Sequence, residues 1–227
     1  NLNSYLYIYI MISILMPIYN GIEFIDESVT SIKKQTFKEW ELIIGINGHP
    51  LDSEVYKKAK KYENGRIKVI ELYPIKGKSA ALNTMLEHCQ YNWIALLDVD
   101  DIWLPAKLQS QIPNMSVYDV IGTQCNYFGE MKGSPNIPEG DISNYDFFRI
   151  NPIINSSCLV KKGLCNWRRE WEGIEDYDMG LRLWKNNKKF YNIPGSLVMH
   201  RIHRDSAFNG EVNNLQVHKL LEKHRLS

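Results

Sequence analysis

Short apolar runs and amphipathic stretches alternate along the first hundred residues. The apolar runs have the length of β-strands and lie at residues 12–16, 42–46, 67–72 and 93–97. The stretches with helical spacing lie between them, at residues 24–32, 53–62 and 78–89. Strands and helices that alternate in this way form mostly parallel sheets covered on both faces. The sequence therefore predicts an α/β fold with a mostly parallel central sheet flanked by helices.

The alternation loosens after residue 101. The pattern there predicts a short helix, two strands, a second helix and a terminal amphipathic helix, at residues 105–111, 120–124, 154–160, 177–186 and 211–226. Residues 129–140 are rich in Gly, Pro and Lys, which is typical of a loop. We expect this second half to complete the same domain, so that residues 1–227 form a single domain.

Three aspartates, Asp98, Asp100 and Asp101, follow the fourth apolar run directly. Carboxylates this close repel one another and are costly to bury without a cation. Their oxygens suit Mg²⁺ or Mn²⁺, which such sites hold together with substrate phosphates. The alternative is an acidic turn that begins the next helix, near Pro105. The buried strand that leads into the aspartates favours the metal site.

Two further polar segments, residues 17–20 and 47–48, also follow predicted strands directly. In α/β sheets, ligands bind beyond the carboxyl ends of the strands. Three separated segments thus converge on one edge of the sheet, and the sequence predicts a single nucleotide site at that edge.

The overall composition is that of a globular protein, with 44% hydrophobic residues, 23% charged residues and a formal net charge of +1. The basic residues are scattered, so no nucleic-acid partner is expected. The four cysteines show no Cys-x-x-Cys spacing, which favours a reducing compartment. The apolar run at residues 5–16 is shorter than a membrane-spanning helix. We expect a soluble cytoplasmic protein, with peripheral association at a membrane left open.

Five segments, in this order, resemble the inverting family 2 glycosyltransferases, which have a GT-A fold. They are Pro17-Ile18-Tyr19-Asn20, residues 37–48, Gly77-Lys78-Ser79-Ala80-Ala81-Leu82-Asn83, Asp98-Val99-Asp100-Asp101 and Glu175-Asp176-Tyr177-Asp178. The resemblance implies transfer of a sugar from a nucleoside-diphosphate sugar, expected to be a UDP-sugar, to an acceptor hydroxyl. It also implies a Rossmann-like donor half at about residues 11–101. An acceptor half with the C-terminal helix would then occupy about residues 102–227.

The resemblance assigns the donor to eight residues, namely Pro17, Tyr19, Asn20, Asn47, Lys78, Asp98, Asp100 and Asp101. Tyr19 is expected to stack on the base. A divalent cation, Mn²⁺ or Mg²⁺, is expected on Asp100 with His203 as a second ligand. Arg201, Arg204 and Ser206 could instead hold phosphate oxygens directly. The family usually has Asp where this chain has Asn47, which weakens the assignment of uracil as the base.

The acceptor side is expected to centre on Asp176, as the general base that removes the proton of the acceptor hydroxyl. The resemblance implies that Glu175 orients the acceptor, while Trp171 could stack on an acceptor sugar. The alternatives are ordinary acidic residues at a helix start for the two carboxylates and plain packing for Trp171. The acceptor itself, whether glycan, protein or lipid, is not indicated.

Three other functions were weighed against this one. A sugar-phosphate nucleotidyltransferase needs a Gly-rich basic loop after the first strand, which residues 20–22 do not provide. A glycoside hydrolase would use paired carboxylates but would not explain three aspartates at a strand end. A binding protein that keeps the fold without turnover stays open because of Asn47. A homodimer through the C-terminal helix is also left open.

Overall fold

The computed structural model describes residues 10–203 and 211–226. Nine strands form one sheet in this part of the chain: β1 (Ile12–Ile18), β2 (Trp40–Asn47), β3 (Ile67–Leu72), β4 (Trp93–Leu96), β5 (Ile102–Trp103), β6 (Val120–Gly129), β7 (Gly140–Asp141), β8 (Leu159–Lys161) and β9 (Phe190–Ile202). The α-helices are α1 (Ile25–Lys33), α2 (Glu54–Lys60), α3 (Lys78–Glu87), α4 (Lys107–Gln111), α5 (Glu175–Lys185) and α6 (Glu211–Leu226).

The first half of the chain supplies the parallel part of the sheet. Strand β1 lies between β2 and β4, and β3 lies beyond β2, with all three pairings parallel. Every residue of β2 is buried, because helices cover both faces. Strands buried on both faces are apolar throughout, which is why the sequence showed continuous runs rather than alternation. The predicted α/β fold with a mostly parallel central sheet is confirmed.

The second half extends the same sheet with a different pairing. Strand β8 runs antiparallel to both β4 and β6, and β9 then pairs with β6 in parallel. The sequence analysis missed β9, because Pro194 and Gly195 interrupt its pattern and polar residues fill its second half. The predicted strand at residues 154–160 is wrong in its first part. A 3₁₀ turn occupies Asn155–Ser157, stabilised by a bond from Ser157 Oγ to the carbonyl of Ile154.

Two apolar layers, one on each side of the sheet, form the core. Ile14 and Met16 of β1 belong to one layer and Leu15 belongs to the other, as expected for alternating side chains. Burial of one such side chain contributes roughly 1.5–3 kcal/mol. Cys89 and Cys158 are buried in this core. Within the described residues, no helix is long and apolar enough to cross a membrane.

A buried lysine in α4 is an unexpected feature of this core. Lys107 is fully buried, and its Nζ lies 3.8 Å from the centre of the Trp103 ring. Among the residues that the structure describes, none accepts a hydrogen bond from this Nζ. Burial lowers the pKa of the Lys107 ammonium to about 7. The folded protein therefore binds fewer protons than the unfolded chain between about pH 7 and the ordinary lysine pKa of about 10.4.

We expect Lys107→Met to stabilise the protein, and more so at low pH. The cost of burying the lysine is fully present below about pH 7 and declines as the pH rises towards 10.4. The free energy of unfolding should rise on the order of 2–4 kcal/mol at pH 6 and by less at pH 9. Urea denaturation at both values measures this, with the exposed Lys61→Met as the control. An equal change at the two pH values would mean that the folded Lys107 does not titrate in this range.

Candidate functional site

A large cavity opens at the carboxyl ends of β1, β2 and β4, with a volume of ≈ 1570 Å³. Its lining includes seven of the eight residues assigned to the donor and also His203, that is, Pro17, Tyr19, Asn20, Asn47, Lys78, Asp98, Asp100 and His203. The parallel strands β1, β2 and β4 deliver Pro17, Tyr19, Asn20, Asn47, Asp98 and Asp100 to one edge of the sheet because their carboxyl ends lie side by side. Lys78 reaches the same edge at the start of α3, and His203 reaches it at the end of β9. The structure therefore brings together segments that are up to about 190 residues apart in the chain.

Tyr19 stands at the rim of this cavity with 62% of its surface exposed. The ring of His49 lies 5.8 Å away, and its Nε2 is 2.6 Å from the carbonyl oxygen of Tyr19. Gly48 allows this arrangement, since it has a φ of +74° and a Cβ there would lie 2.5 Å from the Tyr19 ring. One ring face is thus supported from the protein side, and the rest of the ring is open to a ligand.

Asn47 is buried in the cavity wall with a defined orientation. Its Nδ2 donates to the carbonyl oxygen of Gly77 at 3.1 Å. A carbonyl accepts only from the NH₂ group, so the Oδ1 of Asn47 is the atom left for another contact. Within the described part of the chain, Oδ1 has no hydrogen-bond partner. A buried acceptor without a partner is costly, which favours a ligand donor at this position.

Asp98 is held from two sides at the end of β4. Lys78 Nζ lies 2.7 Å from Oδ1, and Asn155 Nδ2 donates to Oδ2 at 2.9 Å. Burial opposes ionisation of Asp98, but the Lys78 charge and these hydrogen bonds outweigh it and lower the pKa of this carboxyl. Asp98 therefore carries a stable negative charge. The 3₁₀ turn that replaced a predicted strand supplies Asn155.

Asp100 forms a pair with His203, whose Nε2 lies 3.0 Å from Oδ2. Burial and the nearby charges of Asp101 and Asp98 raise the pKa of Asp100. A divalent cation would relieve this repulsion, so the pair fits a cation that is also held by substrate phosphates. Within residues 10–203 and 211–226, no three His, Cys, Asp or Glu side chains are grouped as a metal site. Of the described residues, Asp100 and His203 are the pair that would hold the cation.

Asp101 occupies a different place from the donor contact that the resemblance implies. It is 0% exposed and does not line the cavity. Its Oδ2 lies 3.0 Å from His200 Nδ1, and its Oδ1 accepts from the backbone N–H of Arg201 at 2.8 Å. Asp101 therefore anchors β9 beside the acids, and its assignment to the donor stays a prediction.

His200 lines the cavity and was missed by the sequence analysis. The Asp101 hydrogen bond and the surrounding acids raise the pKa of His200, although burial acts against the charged form. It reaches the site because β5, directly after Asp101, pairs with β9 through Ile102 and Met199. The sequence signal that could have pointed to His200 is its position three residues before His203, the predicted metal ligand. Arg204 and Ser206, the alternative phosphate contacts, lie outside the described residues.

Asp176 lies in the first turn of α5. Asn151 Nδ2 donates to its Oδ2 at 2.9 Å. Burial raises the pKa of Asp176, and the charge of Asp98 adds to this, while Lys78 opposes it. The raised pKa makes the carboxylate a stronger proton acceptor than an ordinary aspartate.

Lys78 connects the two groups of acids. Its Nζ lies 2.7 Å from Asp98 and 3.7 Å from Glu175, which is almost fully buried beside Asp176. Burial acts against the ammonium, but these two carboxylates outweigh it and raise the pKa of Lys78. The Lys78 ammonium group thus bridges Asp98 at the end of β4 and Glu175 at the start of α5.

Trp171 does not take the position expected for an acceptor contact. Its side chain is only 8% exposed and packs in the core, with Lys223 Nζ lying 5.6 Å from the ring centre. The structure thus shows Trp171 packed in the core, which was the alternative to stacking, and its contact with an acceptor stays a prediction. The next residue, Glu172, was not singled out by the sequence analysis but lines the cavity.

Two known proteins are similar to this chain over most of its length. The chain is 32% identical over 213 residues to the O-antigen biosynthesis glycosyltransferase WbnJ of Escherichia coli, covering 87% of this chain and 82% of that protein. It is 28% identical over 211 residues to the putative glycosyltransferase EpsE of Bacillus subtilis, covering 86% and 73%.

Solved structures share the fold. Residues 1–349 of S. aureus TarS, in complex with UDP-GlcNAc, superpose with a TM-score of 0.77 at 17% identity, covering 96% of this chain and 67% of that one. The mannosyltransferase PcManGT of Pyrobaculum calidifontis, in complex with GDP-Man and Mn²⁺, gives 0.71 at 13% identity, covering 99% and 70%. The fold is therefore GT-A.

The family model described as Glycosyl transferase family 2 matches residues 13–204, which include the strand ends, Lys78, the aspartates, Asp176 and His203. This match covers most of the chain, and the related proteins are glycosyltransferases. The chain is therefore a glycosyltransferase that belongs to family 2.

Proposed function

We propose that this protein is an inverting, metal-dependent glycosyltransferase that moves a sugar from a UDP-sugar to an acceptor hydroxyl. The observation that carries the proposal is the bridge formed by Lys78, which joins Asp98 in the cavity wall to Glu175 beside Asp176. This bridge supports Asp176 as a proton acceptor close to the cavity that presents the Asp100–His203 pair. Residues of about 11–101 would form the donor half, and those of about 102–227 the acceptor half.

The nucleoside would bind between Tyr19 and Asn47. The exposed Tyr19 ring offers a stacking surface, and Asn47 Oδ1 would accept the N3–H of uracil. Asn47 can do this despite replacing an aspartate, because its Nδ2 is committed to Gly77. The complexes of related folds with UDP-GlcNAc and with GDP-Man support a nucleotide sugar and leave GDP as the alternative.

The diphosphate would lie near Asp100 and His203. A divalent cation held there would neutralise the charge that develops on the leaving diphosphate. The Mn²⁺ complex of PcManGT supports this choice of cofactor. Asp98, fixed by Lys78 and Asn155, would face the donor beside them.

Asp176 would act as the general base. In an inverting reaction the acceptor oxygen attacks on the face opposite the leaving diphosphate, and its proton must pass to a nearby group. The raised pKa of Asp176 suits this step.

Because WbnJ is an O-antigen biosynthesis enzyme and E. coli WfgD acts on a GlcNAc-diphosphoundecaprenol, we propose a saccharide hydroxyl as the acceptor. The unpaired thiols fit a cytoplasmic setting.

Calorimetric titration of UDP and GDP, each with and without Mn²⁺, tests the donor site. We expect UDP to bind with Mn²⁺ and to bind at least about tenfold more weakly without it, a difference of about 1.4 kcal/mol. GDP should bind at least about tenfold more weakly than UDP. A preference for GDP would contradict the uracil assignment. Binding of neither nucleotide would contradict the donor site itself.

A further inference from the structure

The start of helix α3 is bonded to a carboxylate from a distant part of the chain. Both oxygens of Glu172 accept hydrogen bonds from α3 backbone N–H groups, one from Lys78 and the other from Ser79 at 3.1 Å. Gly77, the residue before the helix, has no side-chain cap of its own. The first N–H groups of a helix have no partner within it and favour an anion. Glu172 therefore fills the position that an anionic ligand would otherwise take.

Gly77 makes room for this contact. A Cβ at this residue would lie 2.9 Å from Glu172 Oε2, and the backbone φ of +88° is one that residues with side chains rarely adopt. The Glu172 carboxylate thus packs against the backbone of Gly77. Any other residue at this position would force the carboxylate or the backbone to move. Glu172 is built into the start of α3 and is not a loose surface acid.

The polar side of α3 binds the same segment at further points. Asn83 Nδ2 donates to the Trp167 carbonyl at 2.6 Å, and Trp167 N–H donates to Asn83 Oδ1 at 3.1 Å. Ser79 Oγ donates to the Arg168 carbonyl at 3.4 Å. Residues 77–83, of which the resemblance assigned Lys78 to the donor, therefore bind residues 167–172 of the second half.

Residues 167–172 lead directly into the turn that carries Asp176, the proposed base. Gly173 N–H donates to Glu175 at 2.7 Å, and α5 with Asp176 begins two residues after Gly173. Lys78, whose backbone binds Glu172, also contacts Glu175 through its side chain at 3.7 Å. Residues 173–175 thus connect Glu172, which is bonded to α3, with Asp176.

We propose that Glu172 is a positioning residue that sets the place of Asp176 relative to the donor cavity. This inference rests on the proposed function, because it assumes that Asp176 is the base. Glu172 ties the segment that carries Asp176 to the start of α3. Lys78 in turn ties α3 to Asp98. It does so without contacting the acceptor proton itself.

The test compares Glu172→Ala and Glu172→Gln with Glu170→Gln. Glu170 lies in the same segment but is exposed, and its side chain pairs with Lys223 at 3.1 Å and with Arg168 at 3.4 Å, neither of which belongs to α3. We expect Glu172→Ala to lower the rate of UDP release from a UDP-sugar at least about tenfold with UDP affinity changed less than about threefold. Glu172→Gln keeps a carbonyl acceptor and should recover part of the rate. Glu170→Gln should behave like wild type.

A double-mutant cycle separates positioning from plain stabilisation. If Glu172 acts through Asp176, Glu172→Ala should cause no further loss in an Asp176→Asn background. If the fold-losses in rate of the two single variants multiply in the double variant, the inference is overturned. A Glu172→Ala variant with the wild-type rate would overturn it as well. An equal fall in rate and UDP affinity would also overturn it.

Hydrogen exchange provides a readout that does not need turnover. In Glu172→Ala, the amides of residues 173–178 and 78–80 should exchange faster than in wild type or Glu170→Gln. If wild type releases no UDP from any UDP-sugar, the proposed function fails, and this exchange alone decides the coupling. Unchanged exchange in residues 173–178 would overturn the positioning role.

Discussion

Replacement of Asp176 by asparagine is expected to lower sugar transfer by roughly 10²–10⁴-fold, the usual contribution of a general base. Asparagine fills the same space but cannot take up the acceptor proton. Asp176 does not line the donor cavity, so Mn²⁺-dependent UDP affinity should stay close to that of wild type. The measurement is the rate of UDP release together with a calorimetric UDP titration. An active Asp176→Asn variant would place the base elsewhere.

The pH profile adds a second test of the same residue. Burial and the charge of Asp98 raise the pKa of Asp176, and only the ionised carboxylate can act as a base. Transfer should therefore fall as the pH is lowered, beginning at a higher pH than an ordinary aspartate would give. Asp146→Asn is a suitable control, since Asp146 is exposed and bonds only locally, to the N–H of Phe148 at 2.9 Å. It should leave rate and profile unchanged.

Replacement of Asp100 by alanine is expected to remove the dependence of nucleotide binding on Mn²⁺. Asp100 and His203 form the pair that fits the cation, and Asp100→Ala removes the carboxylate ligand of that pair. We expect UDP affinity in Mn²⁺ to fall about 10–100-fold, the range typical of a damaged metal site. Without Mn²⁺, the variant and wild type should bind UDP similarly.

Glu23→Gln is the matched control for Asp100→Ala. Glu23 is another carboxylate of the same cavity wall, but the charged groups that surround Asp100 and raise its pKa are Asp98 and Asp101. Its replacement tests whether any acid in the cavity supports the cation. Identical UDP titrations for Asp100→Ala and wild type in Mn²⁺ would remove Asp100 from the metal site. Equal losses in both variants would show a general effect of charge.

Asp101 shows that neighbouring residues of one motif can lie in different surroundings. It is adjacent to Asp100 in the chain, and by resemblance both belonged to the donor site. In the structure the two carboxylates face different surroundings, because the chain turns after β4 and β5 begins at Ile102. Asp101 is buried against β9 and holds His200 and the backbone of Arg201. Adjacent acids can thus have separate roles.

The sequence by itself determined the parallel half of the sheet and the edge at which the site lies. Continuous apolar runs specify strands buried on both faces, and the order of strands and helices then specifies parallel pairing. From this it follows that the segments after β1, β2 and β4 meet, and residues 17–20, 47–48 and 98–100 do so in the cavity. These results depend on local pattern and chain connectivity, which a sequence contains directly.

Only the tertiary structure decided which side chains face each other across that edge. The pairing of β5 with β9 brings His200 and His203 to aspartates about a hundred residues earlier in the chain. The contact of Glu172 with the start of α3 likewise joins residues more than 90 apart. Such contacts depend on strand register and on the packing of one half against the other. A shift of one residue in a strand would turn each side chain to the opposite face, and no local pattern in this chain records that choice.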